Sequence, residues 1–345
     1  MIKRAPKVIG FVFLGLSVLL WLFVTAAFAF RPDSLAAATV IPSWLWFTAG
    51  AFSLLPAALL NWRKKLFLTK PMLGVLALWL LFTFAFTEEI RSMARGVFAA
   101  SPNTAQWNEQ RKSGRTLRVV SLNCAGGLAE AAAEVSAYEP DIVLLQECPK
   151  REAMEELGRQ LYGDDSHLHA GLDTAILTKF PLHDVPFPHK TDQYVVAARI
   201  TLSGLAEVEV MSVHLMVTPL EFSFWSPATW RAYSETRSIQ RKQLDPVAEH
   251  LKRLPSDIAV LVGGDFNCPQ GDGVLSSLKP ELSDAFDIAG VGWGNTIIND
   301  IPVLRIDQLW SNRLLYPRRV YARKTIHSDH RLVVGEFFIE RAKSH

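Results

Sequence analysis

From Val8 to Phe30 the chain runs for 23 residues without a charged side chain. A helix of that length spans a hydrocarbon core of about 30 Å, so this run reads as a membrane span. A second apolar run covers residues 40–60 and a third, shorter one 71–87. The third begins at Pro71 and lies near the lower length limit, so a buried helix of a soluble domain is its alternative. "AFA" at 27–29, after a basic start, has the form of a signal-peptidase site. The apolar stretch is longer than the usual signal core, which favours retention as an anchor.

Charge then sets an expected orientation. Residues 1–100 hold 10 Lys+Arg against 3 Asp+Glu, which leaves 26 against 31 for residues 101–345. A nearly neutral chain is therefore a basic first third joined to a mildly acidic remainder, which also carries all nine histidines. Lys3, Arg4 and Lys7 precede the first run, and Arg63, Lys64, Lys65 and Lys70 separate the second from the third. The short loop after the first run has only Arg31. Positive-inside bias puts the N-terminus and the second loop in the cytoplasm. Three crossings place everything after residue 88 outside, as the extracytoplasmic part of a multi-pass cell-membrane protein.

Residues 1–90 are thus expected to be a three-helix transmembrane region and 91–115 a polar tether, which can begin as a helical extension of the third run. From Thr116 short β-rich runs alternate with turns and helices. Strands are expected at 117–123, 141–147, 174–179, 194–202, 208–215, 258–266, 306–311 and 332–339, and helices at 128–138, 149–162, 234–254 and 273–279. Half-buried alternating strands and continuous apolar ones both occur, which suggests two packed sheets with helices outside. Cys124, Cys148 and Cys268 are an odd number without zinc-type spacing and read as small hydrophobes.

Several of these strands end on a residue able to bind a metal or move a proton. "VVSLN" ends at Asn123 and "IVLLQE" at Glu147, and "VMSVHL" carries His214. "VLVGGDFNCP" presents Asp265 and Asn267, "RIDQLW" starts a strand at Asp307, and "HSDHRLVV" puts Asp329 and His330 just before the last strand. A single one would be a solvated strand end, a turn former or a satisfied histidine. Seven or more at the edges of hydrophobic strands are costly unless paired or bound to an ion.

Residues 116–340 resemble the endonuclease/exonuclease/phosphatase superfamily. The resemblance rests on "SLN" at 121–123, "LLQE" at 144–147, "AILTKFPL" at 175–182, "SVHL" at 212–215, "GDFN" at 264–267, "RIDQLW" at 305–310 and "SDH" at 328–330, in the family's order. It implies a four-layer α/β sandwich, two mixed β-sheets flanked by helices, and phosphoester hydrolysis with Mg²⁺ or Mn²⁺. By the same resemblance Glu147 is the principal metal ligand, with Asn123 and Asp329 helping. His330 is the general base oriented by Asp307, Asp265 and Asn267 position water and phosphoryl oxygens, and His214 donates to the phosphate. Two positions depart from some nucleases of the family. Ala125 stands where those carry an acidic residue and Pro149 where those carry a basic one.

After His214, "MVTPLEFSFWSPATWRAYSETRSIQRKQL" places Phe222, Phe224, Trp225, Trp230 and Tyr233 ahead of Arg237, Arg241 and Lys242. Aromatic and basic residues together suit bases, lipid headgroups or a membrane surface, and Arg237, Arg241, Trp225 and Trp230 are candidate substrate contacts. Packing of these aromatics on the protein itself is the alternative. Arg318 and Arg319 read as a solvated loop pair. Three functional readings remain: a phosphoesterase acting on a lipid headgroup or small phosphoester near the bilayer, an extracellular or periplasmic endonuclease, and a binding module without catalysis. The full set of catalytic residue types argues against the third. The mildly acidic remainder offers no broad cationic track for nucleic acid. The expected partners are the phosphoester substrate and the membrane lipid bilayer, with no obligate protein partner.

Overall fold

The computed structural model describes residues 5–64, 69–98, 104–188, 191–202, 207–219, 221 and 223–340. Phe222 of the aromatic run, and Lys3, Arg4 and Lys65 of the orientation argument, lie outside the described residues. The chain divides into two compact units: Met1–Ile90 with Glu221–Ser234, and Arg91–Leu220 with Glu235–His345.

In the first unit, helices over Lys7–Phe30, Ser43–Trp62 and Thr69–Phe86 are long and apolar enough to cross a membrane. They pack with a small residue at a close approach and polar side chains paired between helices. A Cβ on Gly50 would stand 2.0 Å from the ring of the fully buried Trp79. Trp79 Nε1 donates to Ser17 Oγ at 3.1 Å, and Trp21 Nε1 donates to the Leu78 carbonyl at 2.9 Å.

The second unit has two six-stranded mixed sheets. The strands are β1 (Thr116–Asn123), β2 (Ile142–Gln146), β3 (His167–Ala170), β4 (Thr174–Thr178), β5 (Leu182–Asp184), β6 (Val195–Thr201), β7 (Glu207–His214), β8 (Ala259–Asp265), β9 (Ser283–Asp284), β10 (Asp307–Ser311), β11 (Leu315–Arg323) and β12 (Leu332–Ile339). One sheet has the order β11-β12-β1-β2-β4-β3 and the other β5-β6-β7-β8-β10-β9. Alternation along the strands sorts side chains between layers. Val119, Leu144, Ile176, Val210, Leu261 and Leu309 meet between the sheets. Val120, Leu145 and Leu177 face helices on the first sheet's outside, and Met211, Val260 and Val262 pack with Leu244, Val247 and Leu251 on the other. The result is the four-layer α/β sandwich expected from the sequence.

Each sheet contains one parallel pair, β1 with β2 and β7 with β8. Parallel neighbours require a crossover, which brings the C-terminal ends of all four strands to one edge of the sandwich. The two glycines of "VLVGGDFN" allow the close approach there. A Cβ on Gly263 would lie 2.5 Å from Leu309 Cδ2, and one on Gly264, at φ +141, would lie 2.0 Å from the Val213 carbonyl oxygen.

One expectation gains detail and another changes. Residues 91–115 are largely helical where described, over Glu88–Phe98 and Thr104–Lys112, and Trp107 is buried with the guanidiniums of Arg118 and Arg318 over its ring. Arg318 and Arg319 are not in a loop but in β11, where a bulge between Pro317 and Arg319 absorbs the proline, and Arg318 is ion-paired with Glu336.

Candidate active site

The strand ends bring most of the predicted residues together. β7 and β8 pair His214 with Asp265, and the antiparallel contact of β8 with β10 sets Asp265 opposite Asp307. Asn123 closes β1, and Glu147 follows β2 with a left-handed backbone, φ +47, while Asn267 adopts φ +50. Non-glycine residues rarely hold this conformation, which costs of order 1–3 kcal/mol and concentrates at functional sites. The last loop is tied down by Ser328, whose hydroxyl donates to the Asn123 carbonyl at 2.7 Å and accepts from the His330 amide at 3.0 Å.

Two histidine–carboxylate pairs face each other across this edge. His330 Nδ1 lies 2.9 Å from Asp307 Oδ2, both groups buried. His214 Nδ1 bonds Asp173 Oδ2. Each ring thus directs Nε2 to a common centre, and both Nε2 atoms flank Asp265 Oδ2, His214 at 3.7 Å and His330 at 3.9 Å. Those separations are too long for hydrogen bonds. Asn123 bridges the remaining acids, its Nδ2 donating to Asp265 Oδ2 at 3.1 Å and to Glu147 Oε1 at 3.0 Å. The Gly126 amide donates to Glu147 Oε2, and the Asn267 amide donates to Asp265 Oδ1 at 2.8 Å.

Burial and crowded carboxylates shape the titration. Burial raises the Asp265 carboxyl, the charge of Asp307 raises it further, and despite the nearby imidazoles it is pushed up to about 6. For His330 burial works downward, but Asp307, Asp265 and Asp329 outweigh it and push the imidazole up to about 10. His214 behaves alike: burial lowers it, while Asp173, Asp265 and Glu147 raise it to a net upward shift.

The residues fit a divalent cation. Asp307 Oδ1 is buried without a hydrogen-bond partner, and an Asp–Asp–His group from Asp265, Asp307 and His330 has its ligand atoms within 4.8 Å of one another. With Glu147, Asp173 and Asp329 added, carboxylates outnumber imidazoles. An excess of hard oxygen donors suits Mg²⁺ or Mn²⁺. Because His330 Nδ1 is engaged by Asp307, that group reads as the dyad and its neighbouring acid, leaving Glu147 and Asn123 as the oxygen-rich side.

Other predicted residues are exposed or serve different contacts. Asp329 is exposed, and its carbonyl accepts from the Asn299 amide at 2.8 Å. Asn267 spends its Nδ2 on the Leu215 carbonyl at 3.0 Å. Arg237 is buried and ion-paired with Asp272, also buried. Arg241 is half-buried in the same long helix, Pro227–Leu251. Trp230 packs in the first unit, edge-on to Phe23 at 6.3 Å, and with Phe224 and Tyr233 it covers Ala36 and Ala37. Trp225 is exposed. One residue of the site was missed from the sequence, Asp173, and Ser328 was read only as part of "SDH", without a role. The signal for Asp173 was present, since it precedes the strand run "TAILTK" just as other site residues flank theirs.

A double-sheet sandwich with two imidazole–carboxylate pairs and an acidic cluster at one edge defines the class of a phosphoester-hydrolase fold. The profile of the Endonuclease/Exonuclease/phosphatase family matches residues 120–330, and the chain belongs to that family. Solved structures agree on the fold. An endonuclease/exonuclease/phosphatase from Bacteroides vulgatus is 12% identical with TM-score 0.53, covering 65% of this chain and 99% of that one. A family protein from Bacteroides thetaiotaomicron is 16% identical with TM-score 0.51, covering 65% and 98%. TDP2 from C. elegans is 20% identical with TM-score 0.50, covering 71% and 83%. No curated protein sequence matches the chain.

Proposed function

We propose that this chain is a membrane-anchored, divalent-metal-dependent phosphoester hydrolase whose catalytic unit lies outside the cytoplasm. The observation that carries the reading is the pair of imidazoles, each backed by a carboxylate at Nδ1 and each turning Nε2 to Asp265. Glu147, with Asn123 and Asp329, would hold the Mg²⁺ or Mn²⁺. When bound, the ion supplies charge neutralisation to the phosphoryl oxygens. His330, in its neutral form, takes a proton from the attacking water at Nε2; the charge of a bound cation would favour that form against the carboxylates that raise the imidazole, while Asp307 holds the ring and stabilises the imidazolium that results. Asp265 and the Asn267 region orient that water. His214, held protonated by Asp173, donates to a phosphoryl oxygen. The substrate is a phosphodiester or phosphomonoester. The binding-module reading fits poorly, because a buried, mutually raised set of titratable groups is costly without chemistry to perform.

The testing experiment is hydrolysis of bis(4-nitrophenyl) phosphate by the full chain in detergent, with Mg²⁺ or Mn²⁺ and with EDTA. Metal-dependent release of nitrophenol is expected, and undiminished release in EDTA would overturn the metal assignment. Orientation is tested separately by reporters fused after His345. A periplasm-active reporter should work and a cytoplasm-only one should be silent. The reverse would mean that one apolar helix does not cross, with the shortest, Thr69–Phe86, the first suspect.

A further inference from the structure

The loops that carry the site end in aliphatic side chains turned to solvent. Leu128, Leu172, Val217, Ile298, Ile301 and Ile326 are between 43% and 84% exposed. Leu128 follows Asn123 by five residues, Leu172 precedes Asp173, Val217 follows His214 by three, and Ile326 precedes Asp329 by three. Ile298 and Ile301 flank the buried Asn299, whose Nδ2 donates to the Thr325 and Ser328 carbonyls and fixes that loop beside the last. Toward the opposite ends of the strands Tyr316, at the start of β11, is exposed, and on the helical flanks Ile239 and Ile288 are exposed singly. Aliphatic surface kept in water at one edge marks an interaction site.

The chemistry of the rim selects its occupant. Single-stranded nucleic acid is gripped by aromatic faces in a cationic groove. These side chains are branched aliphatics, which do not stack on bases but do enter hydrocarbon. Arg323 ends β11 just before the Ile326 loop, which also holds Lys324, paired with Asp300, and Arg331, whose Nε donates to the Asn299 carbonyl at 2.9 Å; cations among aliphatics suit anionic headgroups above acyl chains. The same chain supplies three helices able to cross a membrane. After the last of these, with Thr87 between, comes the helix Glu88–Phe98, whose Met93 and Val97 are exposed. Its other side is fastened to the segment leading into the Ile298 loop. The Arg95 guanidinium donates to the Phe286 and Gly290 carbonyls, and the Gly292 amide donates to the Ser92 carbonyl. An exposed apolar helix face and the rim of the site therefore share one fixed support.

We propose that this rim is a bilayer-docking surface, through which the site takes its phosphoester from a membrane lipid. The substrate part rests on the hydrolase reading above, whereas the docking part does not.

The test uses the full chain reconstituted in vesicles of equal parts phosphatidylcholine and phosphatidylglycerol. A fluorophore is attached through Leu172→Cys, Ile301→Cys or Ile326→Cys, with Ser256→Cys, exposed before β8 at the far end, as reference. Cys124 and Cys268 are buried and Cys148 half-buried, so labelling of the unsubstituted chain is subtracted. A nitroxide on shallow acyl carbons is expected to quench the three rim labels by more than half and the reference label little. In parallel, Ile326→Asp should lower turnover of vesicle lipid relative to bis(4-nitrophenyl) phosphate by about tenfold. Rim labels quenched no more than the reference would overturn the docking surface. Hydrolysis of an oligonucleotide with vesicle lipid spared would overturn the lipid substrate and leave the hydrolase standing. Quenching of the rim with no phosphoester hydrolysed at all would keep the docking surface and remove the hydrolase reading.

Discussion

Glu147→Gln is expected to lower metal-dependent hydrolysis by about 100-fold or more, since even supporting residues of metal sites are worth about 10–100-fold. The substitution keeps size and shape while removing the negative charge that makes this side chain a hard-ion ligand. Its effect on stability should be small and has a specific origin. Glu147 accepts from Asn123 Nδ2 and from the Gly126 amide. A glutamine oxygen keeps one of those bonds, but its NH₂ then confronts the Asn123 NH₂, whose own oxygen is committed to the Ala125 amide at 2.9 Å. One hydrogen bond is lost, at about 1 kcal/mol. Activity and thermal stability should thus separate, and EDTA should imitate the activity loss in the parent chain, with Mg²⁺ or Mn²⁺ reversing it. A variant that kept its activity would move the ion elsewhere, and the Asp265–Asp307–His330 group would become the alternative ligand set.

The sequence made the central strands and their terminal residues readable because both signals are local. An apolar run ending in Asn123, Glu147 or Asp265 announces its strand and its polar end together. The edge strands β3, β5 and β9 were not legible, since they have four, three and two residues and little alternation. Pro317 and the adjacent arginines hid β11, which exists because Glu336 and Trp107 receive Arg318. Arg237 shows why basic residues in a helix are poor evidence for substrate contact. Its partner, Asp272, stands 35 residues later, and only the folded packing brings the two together. The aromatic run has the same lesson: Trp230 and Tyr233 find Ala36 and Ala37, nearly 200 residues earlier in the chain. Asp173 differs, because its position before a strand matched the pattern that revealed the other site residues.

His330→Ala should reduce the rate by about 10²–10⁴-fold, the usual contribution of a general base. Asp307→Asn should cost a comparable factor, because a neutral amide no longer stabilises the imidazolium and can turn its NH₂ to Nδ1, selecting the wrong tautomer. The fold should survive the second change: Asn is nearly isosteric, and the contact of residue 307 with Thr296 Oγ1 is made by its backbone amide at 3.2 Å. pH gives a second reading of the pair. A general base works when neutral, so activity is present above its pKa and lost as pH falls through it. Asp307 is among the groups that push the His330 imidazole up to about 10. Removing that charge lowers the pKa, so the acidic limb of the profile moves to lower pH in Asp307→Asn. In His330→Ala that limb should vanish. The double variant is the decisive comparison, since two residues acting as one unit are not additive and their joint loss should barely exceed that of His330→Ala. Losses that multiply, or an acidic limb that stays in place when Asp307 is neutralised, would show that the two residues act separately and that another group, with Asp265 the nearest candidate, removes the proton from water.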